Sequence, residues 1–244
     1  MLETETTIDR RLVTEATRLC QRYVDEVVLA FDLCPWAAPS LRAKRVQITV
    51  ITEHFSQRNE WTAPALTATR RLAEASLHEQ NELVLLVFPR CTLGRLEFDG
   101  FLREVRAQMA AERPDGGEDP YALAAFHPDA PADSASPERL IPFLRRSPDP
   151  LLQAVRTSSL SRLESVHGAG TGFVGPEALL AIARGAPAHE PLRLRIAREN
   201  LGTFEREGRA AFEAVFQDLQ ADRARIYGEL DSARVEAARR TPAP

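Results

Sequence analysis

The sequence predicts an α/β fold: a small, mainly parallel sheet of three or more strands flanked by helices, followed by a helical C-terminal extension. Three observations predict it. Helical and strand patterns alternate as α, β, α, β, α, β through residue 127, and strands joined by helices are parallel neighbours linked by right-handed crossovers. Glu82 to Pro89 (ELVLLVFP) is continuously apolar, the mark of a strand buried on both faces. Beyond residue 190 the pattern is helical throughout.

Each element has its own warrant. Leu12, Ala16, Leu19, Tyr23, Val27 and Ala30 recur at helical spacing and form one apolar stripe. That helix is expected to start with Thr7 or Asp9 as its cap. It is expected to end near Asp32, because Pro35 disfavours helical dihedrals at Cys34. Cys34-Pro35-Trp36-Ala37 then reads as a tight non-helical link. Arg45 to Thr52 alternates Val46, Ile48 and Val50 on one face, as a half-buried strand does. Thr62 to Glu79 and Leu96 to Glu112 are helical in pattern, and Tyr121 to His127 reads as a third strand. Pro128 to Pro137 is a loop too long for a simple connection. Residues 149 to 166 read as a helix, Gly168 to Gly175 as a glycine-rich loop, and Pro176 to Arg184 as a short helix. From Pro191 to about Arg239 a long helical stretch carries a stripe that includes Leu219 and Ile226, with a break expected at Gly208. The division is a core of residues 1–165 and a helical extension, 166–244, packed on it.

Bulk composition narrows the function classes. The 244 residues are 44% hydrophobic and 27% charged, with a formal net charge of −4. These values fit a folded globular chain and argue against a nucleic-acid binder driven by overall charge. No apolar run approaches the roughly 18 residues of a membrane helix. The start, MLETETT, has neither the basic residues nor the apolar stretch of a secretory signal, so the expected location is the cytosol. Three cysteines with no CxxC do not make a disulfide framework or a zinc ribbon. Of the 31 basic residues only Lys44 is lysine. The Arg excess has two readings, an anion-binding surface or GC-rich coding; the slightly acidic balance favours the second.

Chemistry is expected where strands end, because ligands of open α/β sheets gather beyond the carboxyl ends of the strands. Those ends are Glu53-His54, Pro89-Arg90-Cys91 and His127-Pro128-Asp129. His127 is the acid/base candidate, with Asp129 to orient it; the competing reading is a histidine that caps the strand end through hydrogen bonds. Cys34 has two readings, a nucleophile or a small buried hydrophobe, and it follows a helix C-terminus, where the dipole opposes a thiolate. Trp36 beside it is read as core or as a pocket wall. Arg145-Arg146-Ser147 ahead of an expected helix start make an anion cradle, or else a cap with solvated arginines. A metal set from His54, Cys91, His127 and Asp129 matches no ligand spacing. Gly168 to Gly175 matches neither the Walker loop nor a dinucleotide fingerprint, and no cofactor is assigned.

The chain resembles a bacterial family, the domain of unknown function 1415. The motifs that carry the resemblance are Leu33-Cys34-Pro35-Trp36-Ala37, the Leu83 to Pro89 strand, Phe126-His127-Pro128 and Arg146-Ser147-Pro148-Asp149-Pro150, with a weaker echo at Ala197 to Leu201. It spans roughly Val13 to Leu163. The family implies no reaction. Its pattern resembles His-Pro-His where this chain has Phe88-Pro89-Arg90, and it carries a histidine near Gln153. Cys34, His127 and Arg146 are retained.

Two functions are carried forward. One is an enzyme acting on a small anionic substrate, phosphate- or carboxylate-bearing, at the carboxyl ends of the strands. Arg145, Arg146 and Ser147 would hold the anion, His127 and Asp129 would move protons, and Cys34 and Trp36 would complete the site. The other is a non-catalytic ligand-binding or interaction module, or a divergent inactive member, with self-association through the C-terminal helix.

Overall fold

Four strands form one mixed sheet in the order β1-β2-β4-β3. They are β1 (Val46–Val50), β2 (Leu83–Val87), β3 (Tyr121–Phe126) and β4 (Leu151–Arg156). The structure is a computed structural model that describes residues 2–34, 37–113, 116–131, 133–160 and 192–240. The expected glycine-rich loop at 168–175 and the short helix at 176–184 lie outside the described residues.

The expectation of a mainly parallel sheet is corrected. Only β1 and β2 pair in parallel; β4 runs antiparallel to both β2 and β3. The cause is residues 151–156, which fall in the stretch read as helix. Leu-Leu-Gln-Ala-Val-Arg is short enough to satisfy either period. The slot between β2 and β3 decides it, because backbone groups there have no water and must pair with neighbours. β1, β2 and β3 still share one direction, so their carboxyl ends lie at one edge, with the start of β4 between them.

Helices cover both faces. On one, α3 (Thr62–Ser76) and α4 (Arg95–Ala111) pack on Val84, Leu86, Leu123, Leu152 and Ala154. Phe55, Phe88, Phe98 and Phe101 fill this layer with ring centroids 4.8 to 5.8 Å apart, within the range of favourable aromatic contact. Gly100 of α4 lies under Trp61: a methyl there would come within 2.7 Å of the indole ring.

The opposite face carries α1 (Leu2–Tyr23), α5 (Pro137–Leu144), α6 (Leu192–Glu207) and α7 (Arg209–Arg240). It meets Leu83, Leu85, Val87, Phe126 and Leu151. α1 begins well before the expected cap at Thr7, and its Ile8 and Leu12 pack with Ile226 and Leu230 of α7. It runs into a wider π-type turn over Val24–Leu29, where the Ala30 amide donates to the Asp25 carbonyl five residues back. Asp32, at φ 49°, ends the run, and the short α2 (Ala37–Arg42) follows. α5 occupies part of the chain that the sequence left without an element; Ser136 caps it, accepting from the Arg139 amide. The break between α6 and α7 falls at Gly208, whose φ of 81° suits glycine.

The apolar stripe of α7 is covered within the chain. Leu219 and Ile226 are 1% and 6% exposed, so the surface expected for self-association faces α1 and the sheet instead. Among the described residues, no helix is long and apolar enough to cross a membrane.

Gly100→Ala should lower unfolding stability by about 1–3 kcal/mol, the usual cost of overpacking. Urea denaturation of both forms at one pH measures it. Trp61→Phe, which shortens the opposing ring, should recover part of the loss.

Candidate functional site

An apolar opening lies against a face of the sheet. It is a cavity of about 330 Å³ between β1, β2 and β4 on one side and α1, α2, α5 and α6 on the other. Leu83, Leu85, Phe126, Leu151 and Gln153 form its floor, since alternation along each strand turns these side chains to one face. Val24 and Val28 of the π-type turn form a wall. This cavity lies on a face of the sheet and not beyond the strand ends. That edge is closed by the chain itself: Phe55 bridges to Cys91, and Arg90 donates to the Thr52 carbonyl and to Asp9. Asp9 in turn accepts from Arg234 of α7.

Arg145 brings charge into the cavity. It follows α5, and its backbone carbonyl accepts from the His127 amide at 3.0 Å, which fixes it beside the end of β3. Its guanidinium carbon lies 5.2 Å from the centre of the Phe126 ring. Among the described residues the guanidinium has this stacking contact and neither a hydrogen bond nor an ion pair. Burial pushes it below its ordinary value, partly offset by Tyr23, Asp99 and Cys34 nearby. Cys34 lines the same cavity. Tyr23 is held away from Arg145 as a donor, its hydroxyl donating to the Leu144 carbonyl at 2.7 Å.

His127 is 4% exposed and has both ring nitrogens occupied by backbone. Nε2 lies 3.0 Å from the Leu93 carbonyl oxygen, and Nδ1 accepts the Asp129 amide at 3.2 Å. A carbonyl can only accept and an amide can only donate, so these partners select the neutral ring with its proton on Nε2. Burial lowers its tendency to protonate, against weaker pulls from Leu93, Asp129 and Asp99. The Asp129 carboxylate is 3.9 Å away and its side chain is 79% exposed.

The Arg146-Ser147 part of the motif lies outside the cavity. Arg146 donates to the Ala130 carbonyl at 2.6 Å and stacks 4.8 Å over Phe143. Ser147 is fully buried, and its hydroxyl donates to the Asp149 carbonyl at 2.5 Å. A strand follows the motif, so the helix N-terminus expected to complete an anion cradle is absent there. The motif is a joint for α7. Arg223 donates to Asp149 Oδ1 and Tyr227 to Oδ2, each at 2.7 Å, and Gln220 donates to the Pro148 carbonyl at 3.1 Å. Burial pushes the Asp149 carboxyl up from its ordinary value, against the pull of Arg223 and Tyr227.

The structure thus brings Cys34 and Arg145 to one cavity and places His127 in the groove on the other side of Arg145. Arg146, Ser147 and Asp129 contribute to neither. Trp36 lies outside the described residues. Cys91 is buried, which pushes its thiol up to about 12 and keeps it protonated at neutral pH. Among the described residues no group of three or more His, Cys, Asp or Glu side chains is gathered as a metal would need. Sequence reading missed Gln153 and Asn200, the two carboxamides of the cavity. Gln153 had a signal, being the one uncharged polar residue in a strand of apolar neighbours; Asn200 had only its place in the Ala197 to Leu201 echo.

A family profile matches residues 15–169, and the family's description is "Protein of unknown function (DUF1415)". The chain belongs to that family. The matched stretch carries the whole sheet and α2 to α5, while α6 and α7 lie beyond it. DUF1415 therefore covers the cavity floor, Cys34 and Arg145, and the extension adds Ile196, Ala197 and Asn200 to the wall. No curated protein matches the chain, and no solved structure does. Gln153 faces the cavity, and Arg90 helps close the strand edge.

His127 should titrate below the ordinary 6.5. The unfolded chain then takes up its proton first on acidification, so His127 makes folding less stable as pH falls from 6.5 toward its folded value. Long-range proton–nitrogen NMR at pH 7 should show the Nε2–H form, and His127→Asn should flatten the stability profile in that window. A ring protonated at pH 7 would contradict the geometry.

Proposed function

We propose that the chain binds a small organic anion with an apolar body in the sheet-face cavity, with Arg145 as the counter-charge. One observation carries this: a guanidinium with no hydrogen bond or ion pair among the described residues, only the longer-range pull of Asp99, set in a cavity lined mainly by aliphatic and aromatic side chains. A buried cation without a counter-ion is costly, and a ligand carboxylate or phosphate would supply one through paired hydrogen bonds. Gln153 and Asn200 add amide donors and acceptors, in keeping with ligand sites where a few polar groups orient a mostly apolar contact.

Size sets the ligand scale. The cavity, about 330 Å³, is roughly twice the 150 Å³ cavity that accepts benzene, which gives room for on the order of twelve heavy atoms. Decanoate has that size and a single carboxylate.

Cys34 in the same wall supports a second reading, in which its thiol adds to the acyl carbon of a bound anion that also carries an ester, the thiol proton passes to water, and the ester C–O bond breaks to release an alcohol and leave an acyl thioester. His127 then acts as a neutral positioning group behind Arg145, since its ring nitrogens are already bonded.

Isothermal titration should show saturable decanoate binding. Arg145→Met should weaken it by about 10- to 100-fold, the worth of one charge-assisted pair. Decanol, of the same size without the charge, should bind both forms equally and weakly. Equal affinity for decanoate and decanol in the unsubstituted protein would remove the anion-binding reading. For the second reading, alkylation of Cys34 should be faster than that of an ordinary thiol and should slow when decanoate is bound; an ordinary rate would remove the nucleophile.

A further inference from the structure

On the other side of Arg145 a separate groove of about 310 Å³ runs along the free edge of β3, between α4 and α5. Arg95, Arg106 and Arg145 line it together with one carboxylate, Asp99. The formal surplus is two positive charges, in a chain whose overall charge is −4. Asp99 accepts from Arg95 at 3.0 Å on the same helix face, and both are partly exposed. Arg106 uses one Nη2 donor on the Leu123 carbonyl at 2.7 Å, and a guanidinium has five donors in all. Each of the three cations therefore keeps donors for a further acceptor.

We propose that this groove is a phosphoryl-binding site, suited to a phosphate monoester of a small molecule. A surplus of two charges matches a dianion better than a single carboxylate, and arginine forks fit phosphate oxygens in pairs. The groove exceeds what a lone phosphate fills, which leaves space for the esterified group over Leu102 and Pro142. An added peptide strand does not fit this edge. Arg106 already takes the Leu123 carbonyl, and the His127 amide already donates to the Arg145 carbonyl, so the main-chain groups such a strand would use are occupied at both ends. The site is distinct from the apolar cavity and shares only Arg145 with it.

The test is titration of the full chain with inorganic phosphate and, separately, with glycerol phosphate at low ionic strength. Both should saturate, glycerol phosphate the more tightly. Arg95→Gln with Arg106→Gln should weaken binding at least tenfold while decanoate affinity stays unchanged. Asp99→Asn should tighten phosphate binding several-fold, an effect that structural damage would not produce. Arg71→Gln, in an exposed pair with Glu74 on α3, should change nothing. Should the double variant not fold, Arg95→Gln alone, whose described partner is Asp99, should still weaken binding several-fold. Absence of saturable binding, or a folded double variant with unchanged affinity, would overturn the proposal. Loss of decanoate binding with phosphate binding intact would count against the cavity reading alone.

Discussion

The backbone of β4 is the constraint on which the other elements depend. It lies between β2 and β3, with Leu151, Leu152 and Ala154 buried on both of its faces, so its amides and carbonyls must all be satisfied by neighbours. Its entry is held as firmly as its middle. The Phe88 amide donates to the Pro150 carbonyl at 2.9 Å, Ser147 closes its hydroxyl onto the Asp149 carbonyl, and α7 reaches in with Gln220, Arg223 and Tyr227. The extension beyond the family-matched stretch therefore braces the centre of the sheet. A buried carboxylate with two directional partners fixes α7 in register as well as in place.

The two faces of the sheet serve different ends. One is packed with phenylalanine rings. The other receives α1, α5 and α6, whose side chains leave the cavity open. The π-type turn at Val24–Leu29 contributes to this, since a wider turn swings Val24 and Val28 to the wall, and such turns recur at functional sites. Arg145 stands at the edge where this face meets the free side of β3. It is fixed there by main-chain bonding to His127 and by the Phe126 ring, so its charge is positioned before any ligand arrives, which reduces the ordering cost of binding.

Much of the local structure was legible in the sequence. The first three strands fall where alternation and the ELVLLVFP run put them, and the break at Gly208 follows from a residue that tolerates positive φ. The candidate site was legible only in part. Cys34 and Arg145 were named from a turn and a motif, and they meet in one cavity. Arg146 and Ser147 belong to the same motif, yet they bond locally, Arg146 to the Ala130 carbonyl and Ser147 to the Asp149 carbonyl, where the chain leads into a strand and not into a helix. His127 sits at a strand end as expected, but whether its nitrogens were open depended on Leu93, thirty-four residues earlier, and no spacing rule reports that.

The sequence by itself determined which segments are helical or extended wherever a run was long enough for its period to be unambiguous, and it determined the family. Tertiary structure decided the rest. Leu151 to Arg156 became a strand because β2 and β3 left a slot that only an extended, fully paired backbone could fill. The face that carries the cavity was decided in the same way: Asp9, Arg90 and Arg234, far apart in the chain, meet at the strand edge, and helices from both ends of the sequence roof the cavity. Periodicity is a local property, whereas pairing, closure and the company a charged group keeps are set by contacts between distant residues.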